Sequence, residues 1–246
     1  MVINNFDCMF VIKKRSIIIV SALILTIIAF IVCFGSMSAL AAGETSVSGI
    51  KIVLDAGHGG IDGGVTGVNT GVKESEINLA IVRKLEKYLT EAGFGVVLTR
   101  PSDAGLYGVA TGSLKKKDMQ KRKEIIHAAK PDLVVSVHQN KYSLSSRRGA
   151  QLFYKKGDEM SAKLAECVQN SFNDMPESVK KYSPLTGDYY ILNCSEYPSV
   201  IAECGFLSNP QDESLLITEE YQYKVAYSIF KGIVSYLAET SAKFKV

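Results

Sequence analysis

The chain has 246 residues, 47% of them hydrophobic and 22% charged, which suits one or two domains with a substantial core. Its formal charge is +3, but Lys13, Lys14 and Arg15 against the single acid Asp7 supply most of that, so the charge says little about an acidic partner. Of the five cysteines, none in a C-x-x-C pair, only Cys167, Cys194 and Cys204 lie beyond residue 41; this excludes a cysteine zinc site, argues against a disulfide framework, and leaves buried free thiols as the expectation.

In chain order, Lys13-Lys14-Arg15 precedes a nearly unbroken apolar run from Ile17 to Gly35, followed by Ser38-Ala39-Leu40-Ala41-Ala42. A basic flank, an apolar stretch and a small-residue cleavage site read as an export signal over residues 1–41. The run is also roughly long enough to span a bilayer, so an uncleaved amino-terminal anchor is the alternative, and the only membrane contact expected. Either way the basic flank stays in the cytoplasm and the rest is exported, so nucleic acid is not an expected partner. Residues 42–49 form a polar linker, 50–240 a catalytic-sized domain and 241–246 a tail.

Within that domain strand and helix alternate. Residues 50–56 make an apolar strand that runs into a glycine-rich loop. Residues 74–92 carry Ile77, Leu79, Ala80, Val82, Leu85 and Leu89 at mostly helical spacing, closed by Gly93. A strand at 95–99 and a loop at 101–117 follow. Asp118 is placed as the N-cap of a helix reaching Lys130, and Pro131 stops it before a strand at 132–137. A strand at 150–154, a helix at 158–172, a loop with Pro176 and Pro184, short strands at 189–192 and 199–203, and a helix at 221–237 complete the pattern. Alternation of this kind predicts an α/β fold in three layers, a mostly parallel or mixed twisted sheet with helices on both faces.

Two of the three histidines, His58 and His138, end apolar strands in Ile52-Val53-Leu54-Asp55-Ala56-Gly57-His58 and Leu133-Val134-Val135-Ser136-Val137-His138. Strand carboxyl ends are where ligands gather in open α/β sheets. Histidine is a common zinc ligand. The loop Gly57-His58-Gly59-Gly60-Ile61-Asp62-Gly63-Gly64 fits neither phosphate-binding spacing, and its glycines suit exposure of an imidazole instead. Glu74 opens the first helix near that loop, so His58, Glu74 and His138 are candidate ligands for Zn2+, which in hydrolases takes three protein ligands and leaves a fourth position for water. Glu203, at a third strand end, is the candidate catalytic acid/base, with a pKa raised by desolvation.

These residues carry a resemblance. His58-Gly59-Gly60 with Asp62 and Gly63, Glu74 with Asn78-Leu79, Leu98-Thr99-Arg100, Arg122, Ser136-Val137-His138-Gln139-Asn140 and Glu203-Cys204-Gly205-Phe206-Leu207-Ser208-Asn209 together resemble the zinc-dependent N-acetylmuramoyl-L-alanine amidases of phosphorylase/hydrolase-like fold. Gly149-Ala150-Gln151-Leu152-Phe153-Tyr154 and Tyr189-Tyr190-Ile191-Leu192 resemble the spore-cortex, germination-type members. The resemblance implies that His58, Glu74 and His138 bind zinc and that Glu203 is the catalytic acid/base. It implies a peptidoglycan substrate with peptide stems, cut between N-acetylmuramate and L-alanine to leave the precursor of the cortex muramic δ-lactam. Gln139 stands where alanine is usual and His127 where asparagine is usual; mid-helix, His127 is read as structural. Arg122 is given a structural or substrate-positioning role. Two other readings stay open: a wall glycosidase using Glu74 and Glu203 as its carboxylate pair, and a peptidoglycan-binding protein that is inactive or needs an accessory, activating protein.

Overall fold

The computed structural model describes residues 49–108 and 112–241. The expected leader at 1–41, nearly all of the linker at 42–49 and the tail beyond Ser241 lie outside them. The elements are β1 (Lys51–Ala56), α1 (Glu74–Glu91), β2 (Gly95–Leu98), α2 (Leu114–Ala129), β3 (Leu133–Asn140), β4 (Gln151–Tyr154), α3 (Glu159–Asn173), β5 (Leu185–Thr186), α4 (Tyr190–Asn193), β6 (Ser199–Phe206), α5 (Pro210–Leu216) and α6 (Glu219–Ser241). They build one six-stranded sheet of order β2-β1-β3-β6-β4-β5. β2, β1, β3 and β6 are parallel; β4 runs antiparallel to β6, and β5 pairs parallel with β4. The sheet is therefore mixed, as an α/β chain with one reversed edge produces.

β1, β3 and β6 are central because they are apolar on both faces. Alternate residues point to opposite sides. Ile52, Leu54, Val135, Val137, Val200 and Ala202 enter the larger core, shared with Ile81 and Leu85 of α1, Leu164 and Val168 of α3, and Ile229 and Ile233 of α6. Val53, Val134 and Ile201 face the smaller core with Ile126 of α2 and Ile191 and Leu192 of α4. That is helices on both faces of a sheet, with Cys167, Cys194 and Cys204 buried as free thiols.

Three local expectations change. The loop expected to reach 117 ends earlier, because Ser113 caps α2 by accepting from the Lys116 N–H at 3.4 Å. Asp118 is thus inside the helix, and its carboxylate accepts from the Leu106 N–H at 2.7 Å and from Arg122 at 2.6 Å rather than capping. The segment 189–192 is not a strand: Tyr190–Asn193 forms a helical turn that buries Ile191 and Leu192 under α2. A short apolar run carries no periodicity to separate the two. α5 was not anticipated, although Asn209 caps it, accepting from the Gln211 and Asp212 N–H groups, and Pro210 takes its first turn. Among the described residues no helix is long and apolar enough to cross a membrane.

Candidate active site

Parallel register puts the site together. Asp55, Ser136 and Ile201 form one cross-strand row of β1, β3 and β6, and the next residues of the same face are His138 and its partner Glu203. Beyond the end of β1, Gly57 completes that second row, its N–H donating to Val137 O at 3.1 Å. A Cβ on Gly57 would fall 2.1–2.6 Å from three atoms of the His138 ring. Glycine is there because the imidazole occupies the space a side chain would need.

The chain then turns at His58, whose φ of 62° is left-handed, a conformation a residue with a Cβ avoids unless its surroundings hold it. They do. Arg122 is buried at 1% exposure and donates to His58 O at 2.6 Å and Ala56 O at 2.8 Å, while ion-pairing with Asp55 at 2.5 Å and Asp118 at 2.6 Å. Arg100, also buried, donates to Ala56 O at 2.8 Å, Gly57 O at 3.1 Å and Ser75 O at 2.7 Å. Asp55 further accepts from Thr99 at 2.6 Å and Ser136 at 2.5 Å. Burial alone would raise the Asp55 carboxyl, but the Arg122 charge and these two hydroxyls together bring it down to about 2.

Glu74 opens α1 fully buried, and both its oxygens are engaged. Oε2 accepts from the Val65 N–H at 2.8 Å. Oε1 accepts from the Gln139 N–H at 3.1 Å and Asn78 Nδ2 at 3.2 Å, and lies 2.9 Å from His138 Nδ1 and 3.3 Å from His58 Nε2. Burial works against its charge, yet the hydrogen bonds and charges of His138 and His58 outweigh it and hold the carboxyl well below the usual range. Burial also opposes a charged His58, but Glu74 and then Asp62, 3.0 Å from its Nδ1, raise that imidazole to about 9. Donor atoms of His58, Glu74 and His138 all lie within 4.8 Å of one another, a group able to hold a metal ion.

Glu203 differs. Its Oε2 is buried with no hydrogen-bond partner. Burial raises its carboxyl to about 7, with His138 pulling the other way. A cavity of about 720 Å3 joins His58, Glu74, His138 and Glu203, with Tyr107, Lys141 and Tyr189 on its walls. All four expected site residues thus face one cleft. His127 stays outside it, its Nε2 2.9 Å from Cys194 O, as a structural histidine should. Sequence reasoning did not single out Asp55 or the Gln139–Asn78 link at 3.1 Å; an acid inside an otherwise apolar strand was the available clue.

An α/β sheet with a His-Glu-His cluster and a separate desolvated carboxyl at its strand ends has the make-up of a hydrolase that works with a metal ion. Residues 52–235 match the N-acetylmuramoyl-L-alanine amidase family. The germination-specific N-acetylmuramoyl-L-alanine amidase of Bacillus subtilis is 34% identical over 197 residues, 78% of this chain and 82% of that protein. Among solved structures, the CwlD amidase of Clostridioides difficile, in complex with the GerS lipoprotein, is 38% identical with a TM-score of 0.74, covering 77% of this chain and 98% of that one. An N-acetylmuramoyl-L-alanine amidase of Clostridium difficile is 28% identical with a TM-score of 0.68, over 77% and 97%. The chain belongs to the N-acetylmuramoyl-L-alanine amidase family and is an enzyme of that class.

Proposed function

We propose that the chain is a zinc-dependent amidase that cuts the bond between N-acetylmuramate and L-alanine in spore-cortex peptidoglycan, producing the muramic δ-lactam precursor. The observation that carries this reading is the convergence of His58, Glu74 and His138 at one point, beside a carboxyl, Glu203, whose inner oxygen has no partner. The donor set suits zinc: two imidazoles of borderline softness and one harder carboxylate form a combination that zinc accepts, and three ligands leave a coordination position free. The buried, partnerless Glu203 oxygen suits a group that must meet something the protein does not itself supply.

Zinc held there would act as a Lewis acid toward the scissile carbonyl and toward water. The chain's own residues do the rest. Glu74 remains anionic because two histidines and two backbone N–H groups stabilise its charge, so it holds the histidines rather than moving protons. Glu203, at about 7, exchanges a proton near neutral pH. It takes the proton from the attacking water and delivers it to the departing alanine nitrogen. Tyr107 and Tyr189 line the same cleft. A glycosidase would need Glu74 as a second free carboxylate, and both of its oxygens are already engaged.

The cortex role rests on likeness to the germination-specific amidase, and action outside the cytoplasm on the cell-wall role of such relatives. The complex of the CwlD amidase with a lipoprotein supports an accessory partner here too. Purified protein on peptide-bearing glycan strands should release new L-alanine amino termini, and should lose this on chelation and regain it with zinc. Glu203→Gln should lower kcat by about 10²–10⁴ while keeping the fold. Equal turnover with and without chelator overturns the metal reading, and an active Glu203→Gln enzyme overturns the base assignment.

A further inference from the structure

Residues 141–150 join β3 to β4, and they hold two adjacent arginines with different fates. Arg148 is paired with Asp212 at 3.1 Å. Arg147 has no carboxylate partner among the described residues. Its guanidinium carbon lies 5.5 Å from the ring centres of Tyr142 and Tyr182 and 5.8 Å from that of Phe206. Its Nε is buried and makes no hydrogen bond. The guanidinium carbon lies over all three rings, an arrangement that cation–π attraction favours. They leave the outer N–H groups without a protein acceptor. A long, entropically costly side chain has been ordered, yet its bidentate edge is unused. Such a fork matches a carboxylate.

Its location gives that carboxylate a source. Asn140 pairs with Phe206 just beyond the pairing of His138 with Glu203. Phe206 is three residues past Glu203, roughly 10 Å along the strand. Lys141, at the start of the same connection, lines the cleft. Lys180, 5.5 Å from the Tyr182 ring, places a second cation beside the same tyrosine. A peptide extended from a bond at Glu203 covers about 10 Å in three residues.

We infer that Arg147, seated among Tyr142, Tyr182 and Phe206, is a receptor for a carboxylate of the substrate's peptide stem, downstream of the bond that is cut. This rests on the amidase reading above and adds to it a specificity contact outside the reacting centre. The site selects stems whose acidic side is free over stems in which it is amidated.

The experiment uses the full chain and two matched muramoyl-peptides, one with free stem carboxylates and one with those groups amidated. Wild type should show a KM about tenfold lower for the free form, as expected for hydrogen bonds to a charged group. Arg147→Gln should bring the ratio of the two KM values close to one, and Arg147→Lys, which keeps charge but loses the fork, should fall between. Melting curves of both variants identify any loss of fold, and the lysine variant carries the comparison if the glutamine variant does not fold. An unchanged KM ratio in a folded variant overturns the inference, as does an effect confined to kcat. If wild type cleaves neither substrate, the amidase reading has failed, and calorimetry with the free tripeptide L-alanyl-D-glutamyl-L-lysine decides the site by itself. Binding to wild type that Arg147→Gln abolishes supports it. Equal binding to both overturns it, and so does Arg147-dependent binding of inorganic phosphate with none of peptide, which would make the site one for wall-polymer phosphates.

Discussion

Removing Arg122 tests whether the buried ion network, rather than the strands alone, holds the candidate site. Arg122→Met keeps the aliphatic volume but strips Asp55 and Asp118 of their cation and leaves His58 O without its donor. Asp55 at 1% exposure cannot recover that loss from water. Breaking one side of a buried pair costs about 3–5 kcal/mol, mostly from the charge left behind. With a urea m-value of about 2–3 kcal/mol/M for a domain of this size, the unfolding midpoint should fall by about 1.5 M. The companion Asp55→Asn removes the other charge. In the double variant the costs should fall short of additivity by about 1–3 kcal/mol, because the two groups act on each other directly. The same samples, tested for zinc uptake by competition with a chromophoric chelator, should bind more weakly, since the His58 backbone is no longer held in its left-handed turn. A midpoint shift worth less than about 1 kcal/mol, or strict additivity in the double variant, would refute the reasoning.

Asp55 also predicts acid sensitivity. Its carboxyl is lower in the folded chain, about 2 against an ordinary 3.8, so it contributes about 2 kcal/mol above pH 4 that is lost as pH falls from 4 toward 2; urea midpoints between pH 6 and pH 3 should drop less steeply in Asp55→Asn than in wild type. Gly57→Ala should cost about 1–3 kcal/mol through overpacking against His138 and sharply weaken metal uptake, read by melting and metal analysis. Gln139 donates to Asn78 Oδ1 and so turns the Asn78 amide to donate toward Glu74; Gln139→Leu should weaken zinc about 10–100-fold in chelator competition, with little change in the unfolding midpoint.

The parts of this fold legible in the sequence were those with long, uniform patterns. β1, β3 and β6 announce themselves as apolar runs because they are buried on both faces. Their carboxyl ends could be marked, and with them His58, His138 and Glu203. Short elements were not separable: Tyr190–Asn193 and Leu185–Thr186 are fixed by what they pack against or pair with, not by their own composition. The start of α2 was misplaced because Asp118 is a good capping residue by type, and only tertiary contact with Leu106 and Arg122 shows it engaged elsewhere. Strand order and the reversal of β4 depend on pairing over long separations, which no local pattern encodes.

The same limit explains why two glutamates of one residue type end in opposite electrostatic settings. Glu74 opens α1, Glu203 lies toward the carboxyl end of β6, and residue type cannot rank them. Register does. Glu74 points into a ring of donors, the two histidines, the Gln139 and Val65 N–H groups and Asn78, so its charge is favoured despite burial. Glu203 has burial without donors on Oε2, so its neutral form persists to about pH 7. Pairs of carboxyls pushed apart in this way are how one site keeps a fixed anion and a mobile proton together. Exchanging the environments should exchange the behaviour: a donor supplied beside Glu203 Oε2 should lower its pKa and, through the proton transfer proposed for it, move the acid limb of the activity profile downward without changing the metal bound.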